Sequence, residues 1–393
     1  MSHGFSTFNA IPTAKRVHSL DGLRGVAALI VVVNHVMVTG VTYANVADGR
    51  GRADQLSFDW WWSYTPLHLL WGGTEAVFVF FILSGYVLSG PTQKSTFSWF
   101  AYYPKRIIRL YLPVWGSLVL AGLTTLVITR EPKDGASWWT NSHGQVDIVS
   151  AARSGLLLDK IDFLNNPLWS LAWELWFSLL LPVYTIACKW AAASLTRTGV
   201  LVAVLGIVMA GGSVVGSNAL RYLPMFAFGI LLYLHRERAR AVGDKFTEMR
   251  GGWSLVALTA VLLTTSYWMA QSSPSIPAAV ASFCRALQVG GALLFVFIAL
   301  YCGPARRFLA TPPLAWLGLI SFSLYLTHDA VVISWTMLMG GSPSPWLTLS
   351  IVLPISLAFG GLFYLAVEKP SKTLSESAGA WASAKATTRL TVR

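Results

Sequence analysis

The sequence predicts an all-α integral membrane protein with about ten transmembrane helices and both termini in the cytoplasm. Of its 393 residues, 54% are hydrophobic and only 12% are charged, whereas soluble domains average about 25% charged residues. The mean hydropathy is +0.57, and the 18 Trp residues suit the two membrane interfaces, where this residue is enriched. Apolar runs of about 20 residues, the length that spans a bilayer, recur along the chain.

Ten of these runs are predicted to cross the membrane. They lie at about 19–41, 67–89, 108–129, 168–190, 199–217, 219–235, 252–271, 281–302, 314–339 and 346–367. The spans divide the chain into an N-terminal cytoplasmic segment (1–18), a transmembrane domain (19–370) and a small, polar, basic tail (371–393) that is expected to be disordered. No cleavable signal peptide is expected, because the first 17 residues contain no apolar stretch.

Lys and Arg residues predict the orientation, because cytoplasmic loops carry an excess of both. With ten spans and a cytoplasmic N-terminus, twenty of the 29 fall on the inner side, eight fall on the outer side, and Arg24 lies in the membrane. The net charge of +12 does not indicate nucleic-acid binding, since the basic residues form no continuous stripe. The three Cys residues match neither a zinc site nor a disulfide framework, so no metal is expected.

The first span contains two ionisable side chains, Arg24 and His35. Ionisable groups inside hydrocarbon are costly and are functional candidates, although both could be structural groups paired to other helices. Eleven positions make about three helical turns, or about 16 Å, so both side chains face the same way. His35 suits a general base because imidazole titrates near neutral pH. Arg24 is either an anion ligand or the local partner of Asp21.

Later spans carry further ionisable candidates. Glu174 lies about six residues inside the fourth span without an adjacent cation, so it needs a partner on another helix or a cavity. Arg106 and Arg109 are three positions apart at the start of the third span and share a face. Their two guanidinium groups can grip phosphates, or they can simply reach lipid headgroups from the cytoplasmic boundary.

Four other residues complete the candidate set. In the second span, Ser84 and Tyr86 are hydroxyl donors for an oxyanion, whereas Gly85 between them equally favours close helix packing. Glu75, toward the outer end of that span, and His328, in the ninth span, are candidates for binding an acceptor. Each also has a structural interpretation, Glu75 as an interfacial residue and His328 as half of a structural His–Asp pair.

Six strings of the chain resemble motifs of the acyltransferase-3 family of membrane acyltransferases. DGLRGVAALIVVVNHV is similar to the family's first helix, whose Arg/Lys-x10-His pattern falls on Arg24 and His35. FFILSGYVLS, KRIIRLYLP, LWSLAWELWF, SFSLYLTH and VEKP resemble its later motifs in the same order, and the family's Glu falls on Glu174. Phe78 stands where many members carry a polar residue, and Leu and Trp follow Glu174, so a more apolar pocket is expected.

The resemblance implies that an acyl group, most often acetyl, passes from cytoplasmic acyl-CoA to a hydroxyl of a carbohydrate or a similar small-molecule acceptor. Acyl-CoA is then a co-substrate, and no permanently bound cofactor is expected. The roles implied are phosphate binding for Arg24, Arg106 and Arg109, and general base for His35. Glu174 would orient that base or bind the acceptor. Ser84, Tyr86 or one of the arginines would stabilise the oxyanion.

Two alternatives stay open at this point. The acyl group passes directly to the acceptor, or it rests transiently on His35. A transporter or proton-coupled carrier would also use intramembrane Arg, His and Glu residues, but the chain has no internal repeat of the kind that many transporters contain. The expected location is a bacterial plasma membrane.

Overall fold

The computed structural model describes residues 17–144, 147–158, 163–273 and 275–391, and all regular structure in these ranges is helical. The α-helices are α1 (His18–Met37), α2 (Val41–Asp48), α3 (Phe58–Tyr64), α4 (Gly73–Thr92), α5 (Trp99–Val127), α6 (Trp138–Asn141), α7 (Ile148–Leu156), α8 (Leu168–Ala192), α9 (Leu195–Val214), α10 (Asn218–Leu234), α11 (Arg236–Glu248), α12 (Gly252–Gln271), α13 (Ala278–Tyr301), α14 (Gly303–Leu309), α15 (Pro312–Leu338), α16 (Pro345–Phe363) and α17 (Lys369–Thr391). Short 3-10 turns occupy Pro66–Leu70 and Phe163–Asn165, and a π-turn occupies Tyr364–Glu368.

Nine helices of the described chain are long and apolar enough to cross a membrane. They are α1, α4, α5, α8, α9, α12, α13, α15 and the continuous stretch Pro345–Lys385 that begins with α16. The remaining predicted span, the sixth in chain order (219–235), corresponds to α10, a shorter apolar helix of 17 residues. The prediction of an all-α membrane protein is therefore confirmed, and its spans match the apolar helices in order.

Helix α1 lies inside the bundle, where it packs against α15, α4 and α16. The contact with α15 is close because both helices have glycine at the crossing. A Cβ atom added at Gly25 would lie 2.6 Å from the backbone nitrogen of Gly318. Small residues at a crossing let membrane helices approach to backbone distance, and this approach holds the ionisable stripe of α1 against α15.

The α4–α10 crossing explains Gly85. A Cβ atom there would lie 2.0 Å from the carbonyl oxygen of Phe226, and one at Gly229 would lie 2.0 Å from the carbonyl oxygen of Ile82. Neither backbone oxygen can move aside without separating the helices. Of the two sequence interpretations of Gly85, the structure supports helix packing.

Gly85→Ala is expected to lower the free energy of unfolding by about 1–3 kcal/mol, the usual cost of overpacking. The measurement is the melting temperature of the purified protein in detergent. Gly206→Ala in α9 is the matched control, because nothing lies within 4 Å of its added Cβ. The control should melt at the same or a slightly higher temperature, since alanine favours a helix over glycine. Equal melting of Gly85→Ala and wild type would contradict the close crossing.

The chain that leads into α8 enters the bundle instead of staying at its surface. Asn165 Nδ2 donates to the carbonyl oxygen of Leu326 (3.0 Å), and the backbone N–H of Asn166 donates to Asp329 Oδ2 (3.0 Å). Leu326 and Asp329 lie near the middle of α15, so α8 begins deep in the bundle. Non-helical backbone at such depth must be hydrogen-bonded within the protein. Glu174 consequently lies deeper in the bundle than its place near the start of α8 indicates.

The expectation of a disordered tail differs from the structure, in which residues 369–391 form α17 along α5. Ser371 and Ser375 are buried, and a Cβ atom at Gly379 would lie 3.1 Å from the carbonyl oxygen of Ala101. These positions are four residues apart and form one stripe of a helix. The small residues that made the segment look unstructured therefore allow it to pack closely on α5.

Candidate active site

A pocket of about 430 Å³ gathers most of the candidate residues. It is bounded by α1, α4, α5, α8, α15 and the turn between α16 and α17. The predicted site residues that line it are Arg24, Ser84, Arg106, Arg109 and Glu174. Helices far apart in the sequence thus bring Glu174 together with the three candidate arginines and Ser84.

Glu174 is the partner of Arg106. Arg106 Nη2 donates to Glu174 Oε1 (2.5 Å), and Arg106 Nε donates to Ser178 Oγ (2.9 Å). Ser84 Oγ donates to the same Glu174 oxygen (3.2 Å). A buried ion pair needs such extra hydrogen bonds to offset the loss of hydration. Glu174 therefore orients Arg106 in the pocket, and it does not contact His35.

Arg24 and Arg109 are the uncommitted cations of the pocket. Within the described ranges, neither guanidinium has a hydrogen-bond or ion-pair partner. The pocket's other buried carboxylate, Glu368, is already occupied, since Ser323 Oγ donates to it (2.6 Å) and Lys372 Nζ lies 2.6 Å from it. Free guanidinium donors in a pocket are suited to phosphate or carboxylate groups of a ligand.

His35 lies outside this pocket, in a buried cluster with residues of α15. Its Nδ1 atom is 3.0 Å from Asp329 Oδ1 and 3.1 Å from Nε2 of His328. His328 Nδ1 lies 3.0 Å from the carbonyl oxygen of Leu324. A carbonyl only accepts, so His328 carries its proton on Nδ1 and its Nε2 is an acceptor. With His328 Nε2 and the Asp329 carboxylate both accepting, the proton is assigned to His35 Nδ1, and a neutral imidazole then keeps its lone pair on Nε2.

Asp329 was named from the sequence only beside His328, as lining the same cavity or as half of a structural pair, and was given no role of its own. Its side chain is fully buried and its second oxygen accepts from the Asn166 backbone. His143, in the loop after α6, places its Nε2 atom 3.4 Å from the same oxygen. The available signal was an aspartate inside an apolar helix with no nearby cation in the sequence, which requires a partner on another helix.

A buried cation from the loop that follows α5, Arg130, also interacts electrostatically with Asp329. Arg130 is only 3% exposed, and its Nη2 donates to Thr124 Oγ1 (2.8 Å). Burial lowers the pKa of the Arg130 guanidinium, and the negative charge of Asp329 acts in the opposite direction. This guanidinium, the hydrogen bond from His35 and the backbone N–H of Asn166 together offset the loss of hydration of the buried carboxylate.

The segment between α5 and α7 covers one side of His35. The Trp139 ring is 5.2 Å from the His35 ring and is only 4% exposed. Ser137 Oγ donates to the carbonyl oxygen of Val38 (2.8 Å), and Trp138 Nε1 donates to that of Ala44 (2.9 Å). These two Trp residues therefore pack within the protein, and His35 is closed off from that side.

Two of the predicted site residues, Glu75 and Tyr86, lie apart from both the pocket and the His35 cluster. Glu75 forms a separate buried cluster, in which Trp268 Nε1 (2.8 Å) and Gln288 Nε2 (2.6 Å) donate to it. Tyr86 faces α10, with its ring 5.4 Å from that of Tyr233, and it does not line the pocket. His328, in contrast, is a neighbour of the candidate base.

Comparison with known proteins gives the family. A family model for an acyltransferase domain, acyltransferase-3, matches residues 17–365. The chain belongs to the acyltransferase-3 family. Together with its apolar helices, this match makes it a multi-pass membrane acyltransferase. The matched region includes the His35 cluster and Arg24, Arg106 and Arg109, the arginines of the pocket described above, which is called the arginine pocket from here on. It ends just before Glu368 and α17.

Two curated relatives resemble this acyltransferase over most of its length. "Acyltransferase MdmB" of Streptomyces mycarofaciens is 28% identical over 385 residues, which cover 92% of this chain and 93% of the relative. "Putative peptidoglycan O-acetyltransferase YrhL" of Bacillus subtilis is 23% identical over 399 residues, 91% of this chain and 55% of the relative. The chain thus spans about half of the second relative. No solved structure is significantly similar to it.

Proposed function

We propose that this acyltransferase transfers an acyl group, acetyl foremost, from cytoplasmic acyl-CoA to a hydroxyl of a carbohydrate or glycosylated small molecule. The observation that carries the proposal is the placement of His35 Nδ1 within hydrogen-bonding distance of both Asp329 and His328. The His35 Nδ1–H is directed at these two residues, so Nε2 is left as the basic atom. The same helix carries Arg24 into a pocket that also holds Arg106 and Arg109, groups suited to the phosphates of CoA.

The reaction follows from this arrangement. His35 Nε2 accepts the proton of the acceptor hydroxyl while the hydroxyl oxygen attacks the carbonyl carbon of the thioester. Asp329 stabilises the imidazolium that forms, as a carboxylate behind a catalytic histidine does. When the C–S bond breaks, the proton passes from His35 to the leaving thiolate. The products are the ester and free CoA, and His35 returns to its neutral form.

The acceptor class rests on chemistry and on one relative. A general base is needed for a hydroxyl, which is a poor nucleophile until its proton is removed. The name of the Bacillus subtilis relative gives peptidoglycan, a carbohydrate polymer, as its acceptor. Both relatives come from bacteria, which supports a bacterial plasma membrane, and the excess of basic residues on one set of loops supports cytoplasmic termini.

Arg109→Ala is expected to lower kcat/KM for acetyl-CoA by about 10- to 150-fold, mostly through KM, because a hydrogen bond to a charged group contributes about 1.5–3 kcal/mol. Acetyl-pantetheine lacks the CoA phosphates, so its use should change little. Lys105→Ala is the matched control on the same helix, since Lys105 is exposed and lies 3.7 Å from Glu376 on α17. Equal losses with both donors would show that Arg109 does not recognise phosphate.

The test of the proposed function is thiol release from acetyl-CoA by the purified protein in detergent, with and without sugar acceptors. Acceptor-stimulated release by wild type, lost in His35→Ala, is the expected result. Activity in detergent also separates an acyltransferase from a carrier, because transport requires two compartments. A folded wild-type protein that releases no thiol from acyl-CoA of any chain length would overturn the proposal.

A further inference from the structure

The arginine pocket stops short of His35. On α15 its lining runs from Gly318 to Tyr325, and His328 lies on the next turn. On α1 it includes Arg24, and the eleven positions from there to His35 correspond to about 16 Å. An acyl-CoA held by the arginines must therefore extend its thioester beyond the inner end of the pocket to reach the base.

Two aromatic rings lie at that end. Phe80 and Tyr325 both line the pocket, and their rings meet edge to face with 5.7 Å between centroids. On the far side, the Tyr325 ring is 6.0 Å from that of His328, the neighbour of His35. The aromatic pair of Phe80 and Tyr325 thus lies between the arginine pocket and the cluster around His35.

Both rings are held in place. Phe80 packs against a cluster that includes Ala28 and Val32, which lie between Arg24 and His35 on α1. The Tyr325 hydroxyl is 2.7 Å from Ser170 Oγ, and its side chain is 5% exposed. The packing of Phe80 and the hydrogen bond of Tyr325 therefore give the two rings defined positions.

We propose that Phe80 and Tyr325 select the length of the acyl group, so that acetyl is used and longer chains are rejected. The proposal rests on the proposed function, in which acyl-CoA is the donor and His35 the base. When the thioester carbonyl reaches His35, the acyl chain is confined to the space between these rings and the buried His35 cluster. Each methylene that a hydrophobic pocket cannot accommodate changes the rate by about 10- to 200-fold, so butyryl should already be disfavoured.

The experiment compares kcat/KM for acetyl-, butyryl- and hexanoyl-CoA in wild type and Phe80→Ala. Wild type is expected to prefer acetyl-CoA to butyryl-CoA by at least about tenfold. Phe80→Ala is expected to lower this ratio at least about tenfold, with use of butyryl-CoA rising in absolute terms. Phe80→Leu measures the same ratio with a milder change if Phe80→Ala does not give folded protein.

Phe78→Leu is the matched control for Phe80→Leu. Phe78 lies two residues earlier on α4, with its ring 6.4 Å from that of Tyr222, and does not line the arginine pocket. Its acyl preference should equal that of wild type. Tyr325→Leu is a second test from the opposite side of the pair, and it should relax the preference in the same direction as the Phe80 variants.

Three outcomes would count against the selection. If wild type uses acetyl- and hexanoyl-CoA equally, the aromatic pair selects nothing, although the proposed function stands. If wild type prefers acetyl-CoA and the Phe80 and Tyr325 variants keep that preference, selection lies elsewhere. If folded wild type uses no acyl-CoA at all, the proposed function fails first, and the inference fails with it.

Discussion

His35→Ala is expected to reduce acyl transfer by about 10²- to 10⁴-fold, the usual contribution of a positioned general base. His35 is the only described side chain that offers a basic nitrogen held by both Asp329 and His328. KM for the donor should change little, because the arginine pocket does not include His35. The measurement is steady-state thiol release in detergent, with kcat and KM determined separately.

His18→Ala is the matched control for this variant. His18 begins the same helix and is exposed, so its replacement should leave kcat unchanged. Melting temperatures of both variants establish that they are folded. Undiminished kcat in folded His35→Ala would exclude His35 as the base and would leave the identity of the catalytic group to be found elsewhere in the bundle.

Asp329→Asn is expected to lower kcat by about 10²- to 10⁴-fold, with little change in KM for acyl-CoA. A carboxylate accepts the His35 Nδ1 proton, whereas a carboxamide can donate instead and so favours the tautomer with the proton on Nε2. The same substitution behind a catalytic histidine of a serine protease costs about 10⁴-fold for this reason. An asparagine also carries no charge to stabilise the imidazolium.

The control is Asp59→Asn, the same substitution at a carboxylate that accepts a hydrogen bond from the Tyr43 hydroxyl (2.5 Å) in the outer region. It should retain wild-type kcat. A merely structural role of Asp329 predicts a lower melting temperature with normal kcat for the folded fraction. A catalytic decrease at unchanged melting temperature and donor KM is therefore the result that supports Asp329 as the positioning residue for His35.

The membrane helices could be predicted from the sequence because bilayer thickness sets their length and every buried backbone group must be hydrogen-bonded within the helix. The stripe of Arg24 and His35 followed from helical periodicity alone. The tail was expected to be disordered over 371–393, yet residues 369–391 form α17, because small polar residues favour disorder only when no partner is present. Here α5 supplies one, and Ser371 and Ser375 are buried against it.

Residues on one helix could be assigned to a face, but their partners on other helices could not. Glu174 was a candidate for orienting His35, yet it binds Arg106. The reason is that the segment before α8 enters the bundle, so that α8 begins close to the middle of α15. Tyr86 is only two positions from Ser84, but two positions turn a side chain to the opposite face of an α-helix. Tyr86 therefore faces α10 instead of the pocket. The depth of a side chain in the bundle and the direction in which it faces depend on how the helices cross, and hydropathy does not describe these crossings.

By itself, the sequence determined the class of protein, its spans and the residue types available for chemistry, since these depend on composition and local periodicity. Only the tertiary structure decided which of them meet. His35 and Asp329 are 294 positions apart, and the glycine-mediated approach of α1 to α15 brings them within hydrogen-bonding distance. The pairing depends on the packing of two helices against each other, which no local pattern in either helix specifies.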